Sequence, residues 1–214
     1  MSSASRELVL PRPGTSLPSP YKSVPGPSEE VFTSTFGTLL PPAQYLRTST
    51  GKAAYYFIPP ETSGTSTTTP DRVLFVHGVQ TPALGMQPLA AALHTKFPHA
   101  HFVLIDLWGH GLSDTPVLPH TPDMFHGLLD ALLDHLKWPT AHIVGYSFGG
   151  SLTVGYTATR SSRVESFALI APAGLIRLKS FAPEEQEHFR PGCDEVAARK
   201  FVINWLEGLS LIHI

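Results

Sequence analysis

Four short apolar runs recur through the middle of the chain: Arg72–His77 (RVLFVH), His101–Asp106 (HFVLID), Ala141–Tyr146 (AHIVGY) and Val164–Ala171 (VESFALIA). A strand covered on both faces has no polar side to show, so such runs predict buried strands of a parallel sheet. Between them the apolar period lengthens to that of a helix. Leu89, Ala92 and Leu93 carry it within Met86–Phe97. Phe125, Leu128, Leu129, Leu132, Leu133 and Leu136 carry it after Thr121-Pro122-Asp123, a helix start with a hydroxyl cap and a proline in the first turn. Phe148–Thr159 reads as a further helix. Strand and helix in alternation predict right-handed crossovers and a mainly parallel sheet with helices on both faces. Upstream, Gln44–Thr48 and Ala53–Ile58 flank Ser49-Thr50-Gly51-Lys52, the pattern of a hairpin. Glu61–Pro70 reads as an exposed connection. Past Pro172 the alternation stops, so the Val164–Ala171 strand is expected to be left with an unpaired, apolar flank, and Pro183–Phe189 and Asp194–Gly208 read as helical.

The two ends have a different texture. Met1–Glu30 holds six prolines and seven serines and shows almost no aliphatic periodicity. Such a segment buries too little surface to offset its ordering entropy, so residues 1–35 are expected to be a disordered leader. A mitochondrial presequence is the alternative, opposed by the prolines and by Glu7, Glu29 and Glu30. Leu209-Ser210-Leu211-Ile212-His213-Ile214 is what CTG TCT CTT ATA CAC ATC encodes, a string similar to the transposase-end adaptor of sequencing libraries. Residues 209–214 are expected to be a non-native tail.

Composition narrows the classes of function. Of 214 residues 42% are hydrophobic and 15% charged, the latter below a usual share of about 25%, so a substantial core is affordable. A net charge of −2 leaves no basic footprint for nucleic acid and no polybasic patch for a membrane surface. One cysteine, Cys193, excludes an intrachain disulfide and a cysteine-built zinc site. The uncharged stretches Val73–Thr95 and Trp138–Thr159 are broken by glycine, proline and polar residues, so no transmembrane segment is expected. Met1–Pro20 lacks the apolar region of a secretory signal, and a cytoplasmic protein is expected.

The sharpest chemical signal is Gly145-Tyr146-Ser147-Phe148-Gly149, after one strand and before a helix. A serine on so tight a turn has its hydroxyl pushed beyond the strand end, and the flanking glycines avoid collisions across the turn. Ser147 is the candidate nucleophile, and the amide of Phe148 at the helix start is a candidate oxyanion donor. His77-Gly78-Val79-Gln80 follows the first buried strand. Its Val79 amide is the second candidate donor, with Gly78 allowing close backbone approach.

A third motif, Asp106-Leu107-Trp108-Gly109-His110-Gly111-Leu112-Ser113-Asp114, closes the next strand. Together and in this order, the three motifs resemble the α/β-hydrolase superfamily over about Gln44 to Gly174. The resemblance implies an α/β-hydrolase fold truncated after about its sixth strand, with a core over residues 36–174. A helical cap would begin over residues 175–208, after the Ala171-Pro172-Ala173-Gly174 turn. It implies that Asp106 and His110 are structural and line the pocket floor. It further implies a serine hydrolase of the esterase or lipase type, taking a small-molecule acyl substrate and needing no metal or organic cofactor. Serine, where dehalogenase and epoxide-hydrolase relatives place aspartate, favours ester, thioester or peptide chemistry; serine-dependent C–C bond cleavage stays open.

In that family the acid and the histidine follow two further strands. Here the downstream candidates Glu184, Glu185, Glu187, Asp194, Glu195, Glu207, His188 and His213 follow no buried strand, so no triad acid or histidine is assigned. The chain as written is expected to be inactive, and a non-catalytic binding protein of the same fold is the rival class. Other residues read as structural. His99 and His101 are expected to be solvated loop histidines, and His126 and His135 to be exposed off the leucine face. Cys193 lacks the setting of a nucleophile. Phe189, Phe201, Trp205 and Leu206 form the apolar face of a helix or line a pocket.

Overall fold

The computed structural model describes residues 23–61, 70–174 and 177–211. They fall into two compact units, one of Lys22–Gly174 and one that contains the chain from Leu175 onward. In chain order the first unit holds α1 (Glu29–Phe36), β1 (Gln44–Arg47), β2 (Lys52–Ile58), β3 (Arg72–Val76), α2 (Gln87–Lys96) and β4 (His101–Ile105). It continues with α3 (Pro122–His135), β5 (Ala141–Tyr146), α4 (Phe148–Thr159) and β6 (Val164–Ile170). Among the described residues no helix is long and apolar enough to cross a membrane.

The six strands form one sheet in the order β1-β2-β4-β3-β5-β6. β1, β2 and β4 pair antiparallel, while β4, β3, β5 and β6 run parallel. The order turns back at β3, which has β4 on one side and β5 on the other. Where it does so, the carboxyl ends of neighbouring strands part, and open α/β sheets bind ligands in that crevice. The loops after β3, β4 and β5 therefore frame the site.

Alternate side chains supply two cores. Leu74, Val76, Val103, Ile105 and Ile143 face the buried leucines of α3 and Leu152 and Tyr156 of α4. Phe75, Phe102, Leu104 and Val144 face Ala90 of α2 on the other side. Each large side chain so buried contributes about 1.5–3 kcal/mol. The start of α3 is as its sequence predicts: Pro122 opens it and the Thr121 hydroxyl accepts from the Met124 amide at 3.4 Å.

Three expectations are corrected. The first concerns the leader, because residues 23–36 dock on the core. Val24 bridges Thr115, the Gly26 amide donates to Asp114 Oδ1 at 3.0 Å, and Glu29 Oε1 accepts from the Ala43 amide at 2.9 Å. Ser28 caps α1, and Phe32 packs against the α2-side core. A few directed bonds and one ring do this, and composition does not register them. Residues 1–22 of the leader lie outside the described residues, as does most of the 61–70 connection. As expected, β6 has an unpaired flank at the edge of the described sheet, with Phe167, Leu169 and Ile170 exposed.

The other two corrections are histidines. His126 is buried at 3% exposure because α4 lies across α3: its Nε2–H donates to the Leu152 carbonyl at 3.0 Å, over Gly155. His101 opens β4 half-buried, its ring 5.5 Å from Phe57 and 6.1 Å from Trp138. His99 and His135 are exposed as expected.

In the second unit, α5 (Pro183–Gln186) and α6 (Glu195–Leu211) gather a ring cluster. Phe181 lies 4.6 Å from Phe189 and 5.7 Å from Trp205, and His188 stacks on Phe201 at 4.9 Å. The Leu206 side chain and the expected tail, apart from helical backbone to Leu211, lie outside the described residues.

Candidate active site

Ser147 joins β5 to α4 with φ 50° and ψ −116°. For a residue with a side chain that conformation costs about 1–3 kcal/mol, and surrounding contacts must hold it. They do so from three directions. A Cβ on Gly145 would lie 2.5 Å from Thr153 Oγ1, and one on Gly149 would lie 2.1 Å from the Val76 carbonyl. Only glycine lets the first turn of α4 rest on the end of β3. From the β6 side, the Ser147 amide donates to the Ile170 carbonyl at 3.0 Å and the Ser147 carbonyl accepts from Ala173 at 2.8 Å.

The β3 loop closes on the same point. A Cβ on Gly78 would lie 2.9 Å from the Cβ of Ser147, so Gly78 and the serine are in contact. Val79 follows at 39% exposure. Phe148 opens α4 at its electropositive end and stands edge-on to Phe125 of α3, with ring centroids 5.4 Å apart. No described residue accepts a hydrogen bond from the Val79 or Phe148 amide, and none bonds to Ser147 Oγ. The structure thus brings Gly78, Gly145, Ser147 and Gly149 together, with Val79 and Phe148 adjoining.

His77 is fully buried and committed to the backbone. Its ring faces the Gly78 carbonyl through Nδ1 at 2.7 Å and the Leu107 amide through Nε2 at 2.9 Å. A carbonyl accepts and an amide donates, so the ring proton is on Nδ1. Burial lowers its pKa to about 3, so the ring is neutral and has no lone pair to spare for a base's work.

Asp106 is also fully buried and collects three donors from three segments. Oδ1 accepts from the Ala83 amide at 2.8 Å, and Oδ2 from the Leu112 amide at 3.0 Å and the Tyr56 hydroxyl at 2.9 Å. Burial pushes its carboxyl above the ordinary range, and these bonds oppose the shift. The Tyr56 phenol is pushed up by burial and then by the Asp106 charge. A Cβ on Gly111, at φ 51°, would sit 2.1 Å from Oδ2, which explains the glycine. Ser113 donates to the Asp106 carbonyl at 2.6 Å, and Asp114 Oδ2 accepts from Lys52 at 2.8 Å. The third motif is therefore a tether for neighbouring loops.

Gln80 is a residue that sequence reasoning passed over. Its φ is 61°, and its amide donates to His110 Nε2 at 3.2 Å. No pattern of residue types signals that conformation. Among the described residues no three His, Cys, Asp or Glu side chains converge as metal ligands.

The profile of the alpha/beta hydrolase fold family matches residues 71–199, more than half of the chain. Over 73 residues the chain is 38% identical to the dihydrolipoyllysine-residue acetyltransferase component of the acetoin cleaving system of Pseudomonas putida, covering 34% of this chain and 20% of that one. Over 104 residues it is 36% identical to lipase LipV of Mycobacterium tuberculosis, covering 49% of this chain and 38% of the lipase. The fold of carboxylesterase CesB from Bacillus subtilis superposes with a TM-score of 0.58 at 23% identity, over 74% of this chain and 53% of that one. The chain thus spans about half of that structure and less of the curated relatives. A six-stranded sheet that turns back at β3, a serine turn after β5 and a matching profile make this chain a member of the α/β-hydrolase fold family.

Proposed function

We propose that Ser147 is the nucleophile of a serine hydrolase that, in its complete form, cleaves a carboxylic ester or related acyl substrate through an acyl-enzyme. The strained backbone of Ser147, with Gly78 against its Cβ, carries this reading. Strain of this kind stores energy that packing alone does not call for. Ser147 Oγ would attack the substrate carbonyl as a base takes its proton, and the carbonyl electron pair would move onto oxygen. The Val79 and Phe148 amides would hold that oxyanion, each worth about 10²–10³ in rate by analogy with oxyanion-hole donors. Collapse would expel the alcohol, which takes up the proton, and water would then release the acid. None of these steps calls for a metal or organic cofactor. A cytoplasmic location belongs to the same proposal.

Within the unit that holds Ser147 no described side chain hydrogen-bonds to its Oγ, and residues 1–214 as written are expected to be inactive toward p-nitrophenyl esters. Hydrolysis by this polypeptide at a rate dependent on Ser147 would overturn that expectation. For the complete gene product, a fluorophosphonate probe should label wild type and not Ser147→Ala. Ester hydrolysis should fall at least about 10⁴-fold in the variant. Equal labelling of both forms would remove the assignment and favour a binding protein.

A further inference from the structure

Two imidazoles reach across between the β3 and β4 loops in opposite directions, His77 holding the Gly78–Val79 peptide by its carbonyl and His110 the Val79–Gln80 peptide by its N–H. His77, on the β3 loop, takes the Leu107 amide of the β4 loop. His110, on the β4 loop, takes the Gln80 amide of the β3 loop at 3.2 Å. The rings lie 4.9 Å apart. His110 Nδ1 faces the Trp108 carbonyl at 3.1 Å, so its ring proton is there and Nε2 presents a lone pair to Gln80.

His77 orients one side of the Gly78–Val79 peptide. Its Nδ1–H holds the Gly78 carbonyl at 2.7 Å, and the structure has no cis peptide bonds. In a trans peptide the N–H points opposite to the C=O, so the Val79 amide points away from the His77 ring. Gly78 to Thr81 form a turn closed by the Thr81 amide on the Gly78 carbonyl at 3.4 Å, and Gln80 is its third residue. Gln80 has φ 61°, a region that residues with side chains rarely adopt. Relaxation of Gln80 to negative φ would flip the Val79–Gln80 peptide off His110 and open the turn that carries the Val79 amide.

We propose that His110 is a positioning residue of the oxyanion loop, its Nε2 holding Gln80 left-handed and so keeping the Val79 amide aimed. This rests on the reading of Val79 as an oxyanion donor and gives His110 a task on a loop other than its own.

The test compares His110→Phe, which keeps a ring without an acceptor, with His110→Gln, whose amide oxygen can stand near the position of Nε2. In the complete gene product H110F should lower kcat by about tenfold to a hundredfold while KM stays within about twofold. H110Q should recover most of the loss. Adding Gln80→Gly to H110F should also recover it, because glycine takes a positive φ without strain. Unchanged kcat in H110F would overturn the proposal. So would an equal fall in H110F and H110Q with no rescue by Q80G, which marks general destabilisation. Amide exchange of Gln80 in the 214-residue protein gives a readout independent of turnover. H110F should speed it at least about tenfold and H110Q little. If the wild type proves inactive, the hydrolase reading fails and exchange decides for the latch: unchanged Gln80 protection in H110F overturns it.

Discussion

Asp106 and Asp130 each accept a hydrogen bond from a tyrosine, Tyr56 at 2.9 Å and Tyr156 at 2.7 Å, in very different surroundings. Asp106 is fully buried at the end of β4, and its partners are two amides and a hydroxyl from separate segments. Asp130 is half-buried on α3, where Arg160 at 2.6 Å supplies the opposite charge and also reaches His126. The first arrangement is directional and fixes β2 and the loops after β3 and β4 against one another at the crevice. The second is an attraction between two helices in partial contact with water, and tolerates small displacements. An ion pair suffices to hold helices together, whereas placing loops takes separate lone pairs, each aimed at one donor.

Asp106→Asn is the sharpest attempt on that contrast. It leaves one acceptor oxygen where there were two and turns an N–H toward a buried donor, at a cost of about 3 kcal/mol. Urea unfolding checks it. Tyr56→Phe removes a single donor and is expected to cost about 1 kcal/mol by the same measurement. Asp130→Asn, screened by solvent, should cost less than about 1 kcal/mol, and raising the salt should shrink that cost while leaving that of D106N. If D130N proved as damaging as D106N, the distinction between the two aspartates would collapse.

The smallest expected effect is an absence of titration. His77 has its folded pKa lowered from 6.5 to about 3, so the folded protein holds this proton less tightly than the unfolded chain. Its contribution to stability is present above pH 6.5 and drains away as pH falls toward about 3. In the folded protein the His77 C2-proton resonance should therefore stay still from about pH 8 to about pH 4.5. A midpoint near the ordinary histidine value would show that the ring is not committed as drawn.

How much of this was legible depends on whether a residue's task is written in its neighbours along the chain. The strands β3, β4 and β5 and the helix α3 were, because apolar period follows from local geometry. The serine turn was too, since its glycines are required by collisions that any such turn would suffer. β6 carries the apolar run of a covered strand, and its place at the edge follows from the end of the strand–helix alternation at Pro172. His126 lies off the leucine stripe of α3 and is still buried, because α4 crosses there over a glycine. The conformation of Gln80 and the docking of α1 involve hydrogen bonds to distant residues, and no local pattern encodes those.

The contact between Gly149 and the Val76 carbonyl bears on the order in which the molecule is made. The two partners are far apart in sequence, so closing the loop between them is an entropic barrier that local helix formation does not lower. A chain emerging from the ribosome can form the hairpin and α3 early, but its serine turn has nothing to lean on until β5 has slotted in beside β3. Before then the turn can relax and the strain has no reason to persist. The left-handed conformation of Ser147 should consequently form late in refolding, after most helical signal has returned, and should be the first feature lost when β3 and β5 begin to part.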